Sequence, residues 1–180
     1  MIKKKFVVSK ELRNFAVHFM EKLQHYDLSF SGLTLGKHSF EFDIDQKFFD
    51  LFDYAQEFSS PEIKAKITLN KHSSFLEMSI ETEGTVLLVC DISEAEFEQP
   101  VQNKIEILVK FGEEFDDSNE EILILPIGSH SVNVAQLIFE SVILSIPMKH
   151  IHPKYQNGYH DEYTDLIEKY SPTDDNKETE

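Results

Sequence analysis

The sequence predicts an α+β fold: a mainly antiparallel β meander, one long buried C-terminal helix that closes it, and short peripheral helices. Three observations predict this. From residue 28 onward, apolar and polar residues alternate with period two, as they do in half-buried strands. The connections between these segments are short and carry no helical pattern, which favours antiparallel neighbours. Residues 134–146 are apolar almost all round, which indicates a buried helix. An open sheet and a meander curled into a barrel remain alternatives.

The N-terminal residues 1–24 form a basic extension in an otherwise acidic chain. Phe15, Phe19 and Leu23 fall at helical spacing, and Ser9 is placed to cap a short amphipathic helix. This extension is interpreted as a peripheral helix, as a basic arm for RNA, or as sequence upstream of a true start at Met20. Its bases are Lys3, Lys4, Lys5, Lys10, Arg13 and Lys22, against the acids Glu11 and Glu21.

The strand segments follow in order. Residues 40–44 alternate, Asp45 is expected to cap a short helix over 46–54, and residues 63–69 and 76–82 alternate on either side of a hairpin loop at 70–74. Lysines of the first of these two strands are expected to lie opposite polar residues of the second on the exposed face. These are Lys64 and Lys66, opposite Glu77, Ser79 and Glu81. Gly84 interrupts the pattern and predicts a bulge or a bend.

The second half of the chain continues this pattern and then changes it. Residues 85–90 read as an apolar strand, a turn follows, and a long strand runs from beyond Pro100 to Phe111. Residues 112–121 contain six acids without the spacing of a calcium loop, so a solvated loop is expected, with docking of a partner as the alternative. A short apolar strand then leads into the helix. Asn133 is expected to cap this helix, with Gln136 at the capping-box position, and Pro147 to stop it.

Composition limits the classes of function. The 180 residues suggest one domain, and 33 acids against 17 bases give a formal charge of −16. Arg13 is the only arginine, so a bulk nucleic-acid binder is disfavoured and attraction for basic proteins is favoured. Cys90 is the only cysteine, which excludes an intramolecular disulfide and fits a reducing compartment. No signal peptide and no apolar run of membrane-spanning length is recognised, so a cytoplasmic location is expected.

The segment that follows Pro147 is the candidate functional site. It gathers cationic and titratable side chains at the end of the predicted helix: Lys149, His150, His152, Pro153 and Lys154. Lysines of this kind contact phosphates, and histidines stack on bases. The same cations also complement the negative end of a helix dipole. A different class of function is a metal-dependent hydrolase that uses His150, His152, His160 and Asp161, although their spacing matches no known motif. Cys90 is interpreted as an inert buried thiol.

Four segments together resemble the YceD-like family, which is named for accumulation of large-subunit ribosomal RNA. They are GLTLGKHSFEFDIDQKFFDLF (32–52), FLEMSIETEGTVLLVCD (75–91), VKFGEE (109–114) and VAQLIFESVILSIPMKHIHP (134–153). Residues 171–180 lack apolar side chains, so a disordered acidic tail is expected there. The resemblance runs over roughly residues 26–168 and predicts one domain at 25–170. It implies a role in ribosome assembly without enzymatic activity or cofactor. The implied partner is large-subunit rRNA or a small basic large-subunit ribosomal protein.

The chain departs from its relatives at one point. Many of them carry Cys-x-x-Cys where this chain has Cys90-Asp-Ile-Ser93, and a further cysteine after the His-Pro. Thiolates at that spacing suit tetrahedral zinc. With Cys90 as the remnant of that pair, no structural metal is expected here. For the role in ribosome assembly, two mechanisms stay open. Residues 149–154 contact rRNA locally, or the acidic surface shields a basic ribosomal protein.

Overall fold

The computed structural model describes residues 23–52, 54–119, 121–156, 166, 169 and 170. Residues 1–22 of the predicted basic extension (1–24) and the predicted tail at 171–180 lie outside the described residues. A 3-10 turn at Gln24–Tyr26 comes first. The strands are β1 (Asp27–Ser29), β2 (Gly36–Ile44), β3 (Phe58–Lys71), β4 (Phe75–Val89), β5 (Glu96–Gly112), β6 (Ile122–Pro126) and β7 (Ser131–Asn133). The helices are α1 (Gln46–Phe49), α2 (Ala135–Ser145) and α3 (Pro153–Gln156).

The main sheet has five strands in the order β2-β3-β4-β5-β6, and β1 pairs with β7 in a separate two-stranded sheet. Strands β2 to β5 form the antiparallel meander, which confirms that part of the prediction. The barrel alternative is wrong, because over the described residues the sheet stays open, with β2 and β6 as its two edges. The parallel pairing of β6 with β5 was not predicted.

The exposed face of the sheet carries rows of alternating charge. Glu41, Lys66, Glu81 and Lys104 lie opposite one another across four strands. The expected pairing of Lys66 with Glu81 is therefore confirmed. Lys64 lies between Asp43 and Glu83 rather than opposite Glu77 or Ser79. Opposite charges placed directly across neighbouring strands each contribute roughly 0.2–1 kcal/mol, so these rows help to fix the register.

The other face of the sheet forms the core, and α2 packs on it against β4 and β5. A small polar cluster joins the helix to the sheet. The hydroxyls of Thr82 and Ser141 lie 2.9 Å apart, and the Asn103 side-chain amide donates to the Ser141 carbonyl at 3.0 Å. Both hydroxyl-bearing residues are buried, so this mutual hydrogen bond satisfies groups that would otherwise be costly to bury.

The prediction of one long buried helix is wrong, because the helix is short and only one of its faces is buried. Helix α2 has 11 residues, and its buried face consists of Ala135, Ile138, Phe139, Ser141 and Val142. Leu144 lies on the opposite side and is 76% exposed, so the helix covers the sheet with one face only. The apolar composition overstated its burial because a three-turn helix on an open sheet presents a single face to the core.

The predicted caps are correct in part. Asp45 accepts a hydrogen bond from the Lys47 amide at 3.0 Å, but α1 ends at Phe49 and does not reach residue 54. The N-cap position of α2 is occupied by Val134, and Asn133, one residue earlier, accepts from the amide of Ala135, the first residue of α2, at 3.0 Å. The capping-box role of Gln136 is wrong: its side chain donates to Glu140, one turn later, at 2.7 Å. A glutamine pointing along the helix in this way supports an i,i+4 contact rather than the first turn.

Candidate functional site

The segment after α2 runs against the turn that joins β4 to β5. Hydrogen bonds between Asp91 and His150 connect the two in both directions. The Asp91 amide donates to the His150 carbonyl at 2.8 Å, and the Asp91 carboxylate accepts from the His150 amide at 2.8 Å. The His152 amide donates to the Cys90 sulfur at 3.4 Å. These contacts join residues that are far apart in the sequence, and they hold the segment in place.

The predicted site residues share this segment, but their side chains have different surroundings. Lys149, Pro153 and Lys154 are exposed. His150 is 8% exposed, so its ring is not available for stacking on a base. His152 is half-buried, with its ring 5.3 Å from that of Phe97. The Lys154 ammonium lies 4.6 Å from the centroid of the buried Tyr155 ring, a cation–π contact.

Cys90 lies beneath this segment as a buried thiol. Burial raises its pKa, but backbone N–H groups of His152, Ile92 and Ser93 donate to the sulfur, and the net effect is a lowered pKa. Donors aimed at a sulfur favour the thiolate because they stabilise its negative charge. Cys90 therefore fastens the segment to the turn, which the interpretation as an inert thiol did not anticipate.

The metal hypothesis names two residues that the structure describes, His150 and His152, and two that it does not. Within the described residues, no group of three or more His, Cys, Asp or Glu side chains is arranged to hold a metal ion. His160 and Asp161 lie outside those residues. Cys90 and Ser93 lie in one turn, and Cys90 supplies the single thiol there.

A shallow cleft opens beside the segment, which we call the acidic cleft. It has a volume of about 420 Å³ and is lined by Glu57, Val89, Cys90, Asp91, Glu94, Met148 and His150. Two apolar side chains of the cleft are exposed to solvent: Met148 is 100% exposed and Val89 is 49% exposed. Sequence patterning did not reveal this site, since its residues come from three distant parts of the chain.

The acids of the cleft are exposed and form no ion pair with any residue that the structure describes. Two more acids adjoin it on the same face of the sheet, because Glu96 pairs with Val89 and Glu98 pairs with Leu87. Like charges gathered around a low-dielectric surface raise the local negative potential and attract cationic ligands. The arrangement suits a basic ligand that carries an apolar side chain.

Replacing Asp91 should release the segment that it holds. In Asp91→Ala, the buried His150 amide loses its acceptor, and we expect a loss of about 1–2 kcal/mol in the free energy of unfolding. Amide hydrogen exchange over residues 149–155 should become faster. Asp91→Asn is the matched control, because its side-chain oxygen still accepts. Equal exchange in Asp91→Ala and the wild type would show that the carboxylate does not hold this segment.

Taken together, the fold and the site define an acidic, open-sheet α+β protein with an electronegative cleft. The family described as "Large ribosomal RNA subunit accumulation protein YceD" has a model that matches residues 78–180 of the chain. The chain belongs to this family, which confirms the resemblance drawn from its motifs. The family description associates it with accumulation of large-subunit rRNA and names no reaction.

Neither the curated proteins nor the solved structures contain a match to the chain. Among the described residues, no helix has the length and apolarity needed to cross a membrane.

Proposed function

We propose that this chain is a non-enzymatic, cytoplasmic factor for large-subunit rRNA accumulation that acts by binding a small basic large-subunit ribosomal protein. The observation that carries the proposal is the acidic cleft, in which exposed Val89 and Met148 lie among Glu57, Asp91 and Glu94. A bound basic segment would be shielded from non-specific RNA until assembly. The family description supports the ribosomal context.

Charge favours this mechanism over RNA contact as the main activity. The net charge of −16 repels phosphate at long range, and the predicted cationic segment lies beside the acids of the cleft. Asp91 binds the backbone of His150 directly, so a phosphate approaching Lys149 would also approach a carboxylate. A basic protein meets the same acids as attractive partners, and its association gains in rate from that potential.

Local rRNA contact is the second candidate, and the exposure of Lys149 and Lys154 favours it. Such contact would involve few phosphates, so the logarithm of the binding constant should fall with the logarithm of salt concentration with a slope of about −2 to −4. Gel-shift binding to a large-subunit rRNA fragment, lost in Lys149→Ala/Lys154→Ala, would support this candidate. No binding at low salt would exclude it.

Charge reversal in the cleft is the direct test of the proposal. In Glu57→Lys/Glu94→Lys, two attractions become repulsions, and we expect the affinity for a purified small basic large-subunit ribosomal protein to fall about tenfold or more at 150 mM salt. Isothermal titration calorimetry measures this change. The control is Glu113→Lys/Glu114→Lys, which makes the same charge change in the exposed loop between β5 and β6.

Comparison of the two variants shows whether the cleft or the acidic loop binds the ribosomal protein. Loss of affinity in the cleft variant alone supports the proposal. Loss in the loop variant alone assigns docking to the acidic loop at 112–121, and equal affinity in both variants contradicts the cleft as the binding site.

In cells, depletion of the protein should lower mature large-subunit rRNA and change its precursors. Unchanged levels of both would contradict a role in rRNA accumulation.

A further inference from the structure

The two edges of the main sheet differ in how well they are protected from pairing with a further strand. At the β6 edge, the preceding loop folds back so that Asp116 exchanges backbone hydrogen bonds with Ile124, at 2.8 and 3.1 Å. Strand β2, at the other edge, pairs with β3 alone within the described part of the chain. It spans nine residues and contains no proline. Long edges without a protecting loop, proline or bulge are templates for pairing with another strand.

The side chains of β2 also favour pairing of this edge with a further strand. Phe40 and Phe42 lie on the core face of the sheet but are only half-buried, because no described strand lies beyond them. On the exposed face, β2 carries Lys37 near its start and Asp43 near its end, with Ser39 and Glu41 between them. This order places opposite charges at the two ends of the strand.

We propose that β2 pairs antiparallel with β2 of a second copy of this chain, so that the two sheets form one continuous ten-stranded sheet. A two-fold axis through Phe40 pairs all nine residues of each strand. It places Lys37 opposite Asp43 of the second copy, twice by symmetry, and Ser39 opposite Glu41. The surface is therefore self-complementary, as an isologous two-fold interface must be.

The neighbouring registers fit less well. An axis through Glu41 would place the two Glu41 side chains against each other, and like charges directly opposite are destabilising. An axis through Ser39 would pair Lys37 with Glu41 but leave Asp43 and Ile44 beyond the paired region. The register centred on Phe40 also extends the row Glu83, Lys64, Asp43 with Lys37 of the second copy, so the alternation of charge continues across the interface.

The net charge of −16 makes two copies repel each other, and the interactions along β2 must outweigh this repulsion. At 0.15 M salt the screening length is about 8 Å, so repulsion between distant parts of the two copies is largely screened while the cross-strand pairs remain in contact. The backbone hydrogen bonds of β2 and the covering of Phe40 and Phe42 add to those pairs. The inference is independent of the acidic cleft, which lies at residues outside β2.

Sedimentation equilibrium of the full chain at 150 mM salt, up to about 200 µM protein, tests the proposal. The wild type should show a concentration-dependent dimer. Lys37→Glu puts an acid opposite Asp43 at both ends of the interface, and Asp43→Lys puts a base opposite Lys37 at both ends. Each variant should therefore raise the dissociation constant about tenfold or more. The 1:1 mixture of the two variants should recover association, since the introduced glutamate then faces the introduced lysine, and the native Asp43 of one variant faces the native Lys37 of the other.

The matched control is Lys110→Glu, an identical charge change on β5, which should leave the dimer unchanged. Far-ultraviolet circular dichroism checks that each variant is folded. A wild type that stays monomeric to the highest concentration overturns the proposal. It is equally overturned if the single variants dimerise as the wild type does, or if their mixture fails to associate more tightly than either variant alone.

Discussion

Gly84→Ala is expected to lower the free energy of unfolding by about 3 kcal/mol or more, and the melting temperature by about 6–12 °C. Gly84 lies opposite Ile63 where β3 carries a bulge between Ser59 and Glu62. A Cβ atom at Gly84 would meet the carbonyl oxygen of Glu62 and would lie 2.6 Å from the Cα of Ile63. Both neighbours are backbone atoms, so relief requires the two strands to separate.

A matched control for this variant is available within the chain. Gly32→Ala adds the same methyl group where no heavy atom lies within 4 Å, so its effect should stay within about 0.5 kcal/mol. Urea unfolding followed by circular dichroism compares the two variants. If Gly84→Ala and Gly32→Ala unfold at the same urea concentration, the close approach of β3 to Gly84 does not constrain the sheet.

Gly84 also illustrates how far the sequence could predict the fold. The interrupted alternation identified the position as a bulge or bend, but the bulge itself lies in β3. A glycine within a strand signals a close approach without naming the approaching atoms, because these belong to a segment some 20 residues away. Local alternation was sufficient for strands β2 to β5 and for their antiparallel order, since short connections leave few alternatives.

The pairing of β6 was beyond local patterning for a related reason. Residues 122–126 were correctly interpreted as an apolar strand, yet an apolar run does not reveal its direction or its partner. The chain reaches the parallel arrangement through a loop in which Asp116 pairs with Ile124 on the far side of β6. That pairing depends on backbone hydrogen bonds, which leave no signature in residue type.

The binding role of residues 149–154 stays a prediction. The cationic segment was found from composition, and its members do lie together in the structure. Its neighbours could not be found in this way, because Asp91 and Glu57 reach it only after the sheet has formed. The hydrogen bonds between Asp91 and His150 hold the cationic segment beside the acids of the cleft.

Phe139→Ala is expected to lower the free energy of unfolding by about 3–5 kcal/mol, a large share of the roughly 5–15 kcal/mol that stabilises a typical domain. Phe139 is the buried anchor of α2. Its ring stacks on Phe52 with centroids 4.2 Å apart and contacts Phe49 and Tyr54 at 6.1 and 5.7 Å. Removing the ring leaves a cavity between α2 and the rings of Phe49, Phe52 and Tyr54, and thermal or urea unfolding would detect the resulting loss of stability.

The same substitution should reach the acidic cleft. Residues 52–57 lead from the Phe139 contact to Glu57, and α2 leads into Met148, so both sides of the cleft depend on this packing. We expect Phe139→Ala to weaken binding of the basic ribosomal protein even at temperatures where the chain remains folded. Leu144→Ala is the control on the same helix, since Leu144 is exposed and should cost less than about 0.5 kcal/mol. Equal stability of the two variants would mean that α2 is not seated on the core through Phe139, and the position of the cleft would lose its structural basis.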